Sequence, residues 1–396
     1  VLLREVFGAM KVGIVGLGYR LGYVATVFRA VMPEFTVVAH VDEEPAGLAT
    51  MEESGVSAGT RYASLEAMLD QGGLDLLMVG SPNLFHFEHI RIGLERGLRV
   101  FTEKPVVATE AETIALAKLI ATHGSDRVMV GLVLRYSPLY VALREAQAQG
   151  MLGSVVSIEA SEHIQPYHGA FFMRDWRRYE RLSGGFMLEK CCHDLDLYNG
   201  VVGSRPRMVA SFGGRKSFIP AHAPASAGIN DMEVYHRKPS GWMGIDKVFD
   251  SDADIVDYQT AMVEYENGVA MSFHCNMNVP DQFRRFCIVG SHGMAEGDFI
   301  RNFLWVHEAR TGRKLVDTSF DVSGLSKHYG ADERMARDIA AHLRGDAALP
   351  VSVTEALEAG LLAMAMDQAR HGTKMVDMRA TWGRFDAALQ GEMAAA

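Results

Sequence analysis

From Lys11 to Gly22 the chain reads KVGIVGLGYRLG, a short apolar run followed at once by closely spaced glycines and then by a helix-like segment. A dinucleotide fold needs its first glycine for a tight turn, and its second where backbone approaches a pyrophosphate at a helix N-terminus. Gly16 and Gly18 take those places. The third glycine is expected at position 21, where the sequence has Leu21 followed by Gly22. Asp42 ends the next apolar run, about 20 residues past the glycine loop, where a carboxylate accepts hydrogen bonds from ribose hydroxyls. The EEPAG that follows adds negative charge and offers no arginine for a ribose phosphate, so NAD is expected in preference to NADP.

The rest of the first third agrees with that start. KVGIVG, FTVVAHV, LDLLMVG, LRVFTE and RVMVGLV read as strands buried on both faces, and helix-like segments lie between them. In TEAETIALAKLIATHG, Thr109 and Glu112 fit a capping box and Gly124 fits the stop. This is the pattern of a doubly wound parallel sheet. After about Leu134 the pattern changes. AMVEYENGVAMSFHCNM alternates in period two around Asn267-Gly268, a hairpin signal, and SVVSIEASEHI and RRFCIVGSHGMAEGDF also read as strands. Ser352 and Glu355 form a second capping box. The expected architecture is α/β, with a Rossmann domain over 1–134 and an α/β domain over 135–396 built on a large open, mostly antiparallel sheet. Residues 215–254, rich in Pro, Gly, Ser and His, read as an inserted binding loop or lid.

A chain of 396 residues favours two hydrophobic cores over one. The formal net charge of −10 repels nucleic acid and anionic membrane, which points to a small-molecule partner. Cys191, Cys192, Cys275 and Cys287 show no paired CxxC spacing and read as reduced thiols of a cytoplasmic protein. The start VLLREVFGAMKVGIVG has no signal-like apolar region with a cleavage site, and Met10 is a candidate start. No apolar run approaches a membrane span.

Two further stretches carry chemistry. Glu103-Lys104-Pro105 falls where the LRVFTE strand ends, and in an open α/β sheet ligands lie at that carboxyl edge. GGFMLEKCCHDLDLYNG, from Gly184 to Gly200, reads as one helix with Glu189, His193 and Asp196 on a single stripe. Consecutive Cys-Cys-His on a helix cannot converge on a metal tetrahedrally, so no metal site is expected. A histidine near neutrality, a carboxylate to orient it and a lysine to hold an alkoxide-like oxygen instead suit proton transfer from a hydroxyl.

Together these motifs resemble the Gfo/Idh/MocA oxidoreductases from about Lys11 to Met375. The resemblance lies in GIVGLG, VD at Asp42, SPNLFH at Ser81 to His86, EKP, LRYSP at Leu134 to Pro138, GGFMLEKCCHDLD, and HGTKMV after a closing helix. It implies oxidation of a secondary alcohol of a sugar, cyclitol or related polyol, or reduction of the matching ketone, with NAD(P). It assigns Lys104 to the reacting oxygen, His193 to general acid/base work, Glu189 to orienting substrate or histidine, and Asp196 to supporting them. Around the cofactor it counts Gly16, Gly18, Tyr19, Arg20, Leu21, Asp42, Ser81, Pro82, Asn83, His86, Glu103, Lys104 and Pro105, with Arg135 and Tyr136 at the domain junction. This chain departs from the pattern at Leu21, at Glu189 where Asp is usual, and at Cys191 where glycine is common.

For substrate, HGAFFMRDWRR presents His168, Arg174, Asp175, Trp176 and Arg177, a mixture suited to a carbohydrate or to its own salt bridges. His163, Gln165 and Tyr167 are candidates for the same cleft. The substrate set is thus Lys104, His163, Trp176, Arg177, Glu189 and His193. In the insertion, His222, Tyr235, His236, Lys238, Trp242 and Lys247 could cover a larger ligand such as a glycoside. The competing readings are transient NAD redox during elimination or hydrolysis of a glycoside, a non-catalytic nucleotide and sugar sensor, and a metal-dependent enzyme. If one face of the second sheet lacks helices it needs covering, and a homodimer or homotetramer through that face is the expected solution.

Overall fold

The computed structural model describes residues 8–225, 234–235, 242–321 and 327–391. Among these residues the strands form two sheets. The first is wholly parallel and contains β1 (Met10–Val15), β2 (Phe35–Val41), β3 (Thr60–Arg61), β4 (Leu76–Val79), β5 (Arg99–Thr102) and β6 (Val128–Val130). Their order is β3-β2-β1-β4-β5-β6. Strand order therefore reverses between β1 and β4, and in open α/β sheets the carboxyl edge at such a switch point is where ligands lie. All four residues of β4 and the last four of β1 are buried, as strands covered on both faces must be. The helix Glu110–His123 opens on the expected Thr109–Glu112 capping box and stops at Gly124.

The second sheet contains β7 (Val155–His163), β8 (Pro206–Gly214), β9 (Tyr258–Tyr265), β10 (Ala270–Asn276), β11 (Arg285–Gly290), β12 (Gly293–Asp298), β13 (Phe303–Glu308), β14 (Lys314–Ser319) and β15 (Val376–Asp377). The order is β14-β13-β12-β11-β7-β10-β9-β8-β15, and only the β7–β10 pair is parallel. β9 and β10 meet at Asn267-Gly268, with Gly268 at φ 84° as the hairpin requires. Burial alternates along β9 and β10, so one face packs on the core. The register puts Phe212, Met262 and Val289 on the other face, where the first two are 72% and 66% exposed.

The chain divides into two compact units that are not consecutive halves. The first comprises Val1–Tyr136, Leu325–Leu357 and Gly383–Ala396, and the second Ser137–Gly324 and Glu358–Trp382. The division at Tyr136 falls near the change of pattern at Leu134. The return of later segments to the first unit has no periodic signature, because an amphipathic helix reads the same whichever core it covers. No helix among the described residues is long and apolar enough to cross a membrane.

The insertion is anchored at its base. The Arg215 guanidinium donates to the carbonyls of Phe218, Ser251 and Ala253, while the buried Asp257 carboxylate accepts from the amides of Lys216, Ser217 and Phe218. Phe218 and Phe249 pack together there, and Tyr235 stands edge-on to Phe249. His236 and Lys238 lie outside the described residues.

Candidate active site

In the first unit the glycine loop connects β1 to the helix Tyr19–Val31. Gly16 has φ 81°, and a Cβ there would collide with the Ser81 amide nitrogen, so only glycine passes. Gly18 caps the helix without a side-chain hydrogen bond, and a Cβ on it would meet nothing. The first-turn amides thus face an open approach of the kind a pyrophosphate uses, and the residues present fit a dinucleotide. The departure at position 21 also has an answer. Leu21 is buried and lies against Gly80, while a Cβ on Gly22 would stand 2.6 Å from the Gly47 oxygen. Gly80 thus leaves room for Leu21, and Gly22 lets the helix approach Gly47 closely.

Asp42 follows β2, and its Oδ1 accepts the Glu44 amide at 2.8 Å. Burial pushes its carboxyl above the usual range. EEPAG offers no arginine, but the structure brings one from β3. Arg61 donates to the Asp42 and Glu43 carbonyls at 3.1 and 2.8 Å. The pairing of β2 with β3 places it there, and nothing local to Asp42 announces it.

Ser81 and Asn83 are buried in the turn after β4, with Pro82 between them. Nδ1 of buried His86 lies 2.8 Å from the Pro105 carbonyl, and Nε2 lies 2.8 Å from that of Ser81. This histidine ties the SPN turn to the EKP turn, whose Lys104–Pro105 peptide is cis. Nδ1 of His89 stands 2.9 Å from Ser81 Oγ, and burial, then His86, pushes its imidazole down to about 4. Glu103 accepts from Arg20 Nε at 2.9 Å. Arg135 pairs with Glu355 at 3.1 Å, the residue that forms the expected capping box with Ser352. Tyr19 is largely exposed.

In the second unit the expected single helix across the GGFMLEKCCHDLD motif is two. Phe186–Glu189 and Cys192–Val202 are separated by a turn, where Lys190 at φ −105° and Cys191 at ψ −4° carry the chain off the helical path. Glu189 therefore ends one helix, and His193 stands in the first turn of the next. Both are buried, as are Asp196 and Cys191. Cys191 packs into the core.

Arg177 and Glu189 are brought together. Arg177 Nε donates to Glu189 Oε1 at 2.7 Å and Nη1 to Asp175 Oδ2 at 2.6 Å. Its guanidinium lies 4.3 Å from the Trp176 ring and 4.6 Å from that of Phe171. Burial works against this guanidinium, but Asp175 and Glu189 outweigh it and raise its proton affinity. Fully buried Asp175 has its carboxyl pushed up by burial. The salt-bridged loop and the aromatic platform are thus one arrangement. The insertion lies along it, with Trp176 N donating to Trp242 O and Arg178 Nη1 to Met243 O.

His163 ends β7 with other neighbours. Its Nδ1 is 3.0 Å from Asn276 Nδ2, and its ring meets those of His274 and Phe283. Burial, then His274, pushes it down to about 4. Beside it, sequence reasoning missed a buried ionic network. Glu162 pairs with Lys190 at 2.9 Å and Arg284 at 2.8 Å, and Arg284 holds Asp194 at 2.7 Å. Burial opposes ionisation of Glu162, but the two cations hold it below its usual range. The signal was present, because Glu162 shares the inward parity of Ile158 and Ala160. Among the described residues no group of three or more His, Cys, Asp or Glu side chains could hold a metal ion.

The comparisons with known proteins agree with the fold. Residues 10–132 match the oxidoreductase family's NAD-binding Rossmann fold, GFO_IDH_MocA, and residues 144–378 match that family's C-terminal alpha/beta domain. D-xylose 1-dehydrogenase (NADP(+)) 2 of Haloferax volcanii is 30% identical over 203 residues, 51% of this chain and 60% of the relative. Inositol 2-dehydrogenase of Rhizobium meliloti is 24% identical over 204 residues, 51% and 58% of the two chains. The matched stretches thus span about 60% of those relatives' length. A structure of levoglucosan dehydrogenase in complex with NADH and levoglucosan superposes with a TM-score of 0.73 at 17% identity, covering 93% of this chain and 99% of that one. At that identity the likeness shows the fold.

Proposed function

The chain belongs to the Gfo/Idh/MocA oxidoreductase family, and from that premise we propose that it is an NAD-dependent dehydrogenase acting on a ring secondary alcohol, or the matching ketone, of a sugar, glycoside or cyclitol. The observation that carries the reading is Arg177 on Glu189. A guanidinium stacked on Trp176 holds a buried carboxylate at the end of the short helix that precedes His193. A carboxylate fixed by a guanidinium in this way suits hydrogen bonding to the hydroxyl rim of a sugar ring.

In this reading the nicotinamide supplies the hydride chemistry. The Lys104 ammonium binds and polarises the reacting oxygen, and His193 moves the hydroxyl proton. Glu189 orients a hydroxyl or His193, and Asp196 supports the helix face. Two features favour NAD over NADP. The Asp42 carboxylate repels a ribose phosphate, and the Arg61 hydrogen bonds are directed at backbone carbonyls. We also propose a cytoplasmic location and a homo-oligomer formed by a second copy on the Phe212–Met262–Val289 face, whose exposed apolar side chains support it.

The test is an absorbance assay for reduced nicotinamide with NAD or NADP and a panel of sugars, inositols, sugar acids and glycosides, using Lys104→Ala as control. Reduction of NAD on one class of substrate, lost in the control, is expected. Product formed without free NADH would replace this reading with transient redox, and NADH binding with no product would replace it with a sensor.

A further inference from the structure

The helix Ala331–Arg344 carries Asp332 in its first turn, fully buried and within the first unit. Its Oδ1 lies 2.7 Å from Arg20 Nη2, and its Oδ2 lies 2.9 Å from His328 Nδ1. Arg20 gives its Nε to Glu103 at 2.9 Å. One guanidinium, rooted in the first turn of the glycine-loop helix, therefore joins the EKP turn to a carboxylate from a distant part of the chain. The approach to Asp332 is unusual. His328 and Tyr329 have φ 53° and 62°, and Gly330 follows at φ 79°. Two successive non-glycine residues in the left-handed region persist only where their surroundings enforce it, and such sites cluster where function does. Burial opposes ionisation of Asp332, but His328 and Arg20 hold its carboxyl below the usual range.

We propose that Asp332, which lies in neither sequence motif, is a positioning residue of the dinucleotide site: by fixing Arg20, and through it Glu103, it locks the glycine loop to the EKP turn. This rests on the NAD-binding reading above. A guanidinium is a planar fork, and carboxylates on two of its edges set both its place and its tilt. With no carboxylate but Glu103 to hold it, and the His328 ring only at 3.5 Å, Arg20 can follow those side chains or swing to solvent. The helix N-terminus then loses its tie to the turn that presents Lys104.

The test is NADH affinity, read from nicotinamide fluorescence on the full chain, with the melting temperature of each apo variant recorded beside it. Asp332→Asn is expected to raise the NADH dissociation constant about tenfold, and Asp332→Glu to recover most of the loss. In an Arg20→Gln background, Asp332→Asn should change the constant less than about twofold, because its route is already cut. An equal loss in both backgrounds would overturn the proposal. So would an unchanged dissociation constant with a lowered melting temperature, which would make Asp332 a packing residue only. Because the readout is binding, a native protein that holds NADH but oxidises none of the sugars would defeat the dehydrogenase reading and leave this one standing.

Discussion

Arg177 Nε lies 2.7 Å from Glu189 Oε1 while the same guanidinium holds fully buried Asp175 at 2.6 Å, so one cation serves two buried carboxylates. Arg177→Gln removes that shared cation. The buried Asp175 then costs about 3 kcal/mol of stability, read as a shift in the urea midpoint. The drop in kcat/KM should be about a hundredfold, because Glu189 is no longer held in one place. Asp175→Asn should restore much of the stability of the Arg177→Gln protein and none of its activity. Restoration of both would remove Glu189 from the site.

His193→Ala and Lys104→Met should each lower kcat by about a hundredfold to ten-thousandfold, the range for general acid/base groups. Neither is expected to move the NADH dissociation constant more than about twofold. Steady-state kinetics and fluorescence titration on the same preparations separate the two effects. Parallel loss of turnover and NADH affinity would reassign His193 to cofactor binding and leave Lys104 with its cofactor contact alone.

Asp42→Ser removes the carboxylate and leaves Arg61 in place. NAD affinity should fall about tenfold and NADP affinity should rise, measured by titration with each reduced cofactor. Burial raises the Asp42 carboxyl, so NAD affinity of the native protein should also weaken on the acid side as that carboxylate gains a proton. In Asp42→Ser this acid limb should be absent. An unchanged preference in the Asp42→Ser protein would place the ribose elsewhere.

His89 and His163 give stability a pH dependence of definite sign. Both are pushed from 6.5 to about 4 in the folded chain. The unfolded chain therefore binds more protons between those values, and stability is lost as pH falls through that window. Melting temperature should drop steadily from pH 6.5 toward 4, and less steeply in His89→Gln. Equal slopes in the two proteins would show that the His89 imidazole is not held neutral by its surroundings.

What the sequence made legible is local. Thr109 with Glu112, Ser352 with Glu355 and Asn267-Gly268 each settle their structure within a few residues, and each is found as read. The pattern from Lys11 to Val133 likewise pointed to the parallel sheet, because strands buried on both faces need unbroken apolar runs. Contacts between distant residues were not legible. Arg284 reaches Asp194 across 90 positions, and Arg20 reaches His328 across 308. Nothing in either neighbourhood names the partner. The break at Lys190 and Cys191 was missed for another reason: both residues are compatible with helix, and packing decides. Of the sugar-site candidates, Trp176, Arg177 and Glu189 do meet, whereas His163 keeps company with His274 and Phe283.

The return of Leu325–Leu357 and Gly383–Ala396 to the first unit bears on how the molecule is made. A ribosome delivers the six parallel strands first, yet Asp332 and the helix around it are translated only after the whole run from β7 to β14. The nucleotide domain cannot complete itself while it is being synthesised, and an expression fragment ending at Tyr136 would lack part of its own core. Dissecting this protein into halves calls for splicing both late segments to the early one with Glu358–Trp382 left out, since a stop codon at the boundary would orphan them.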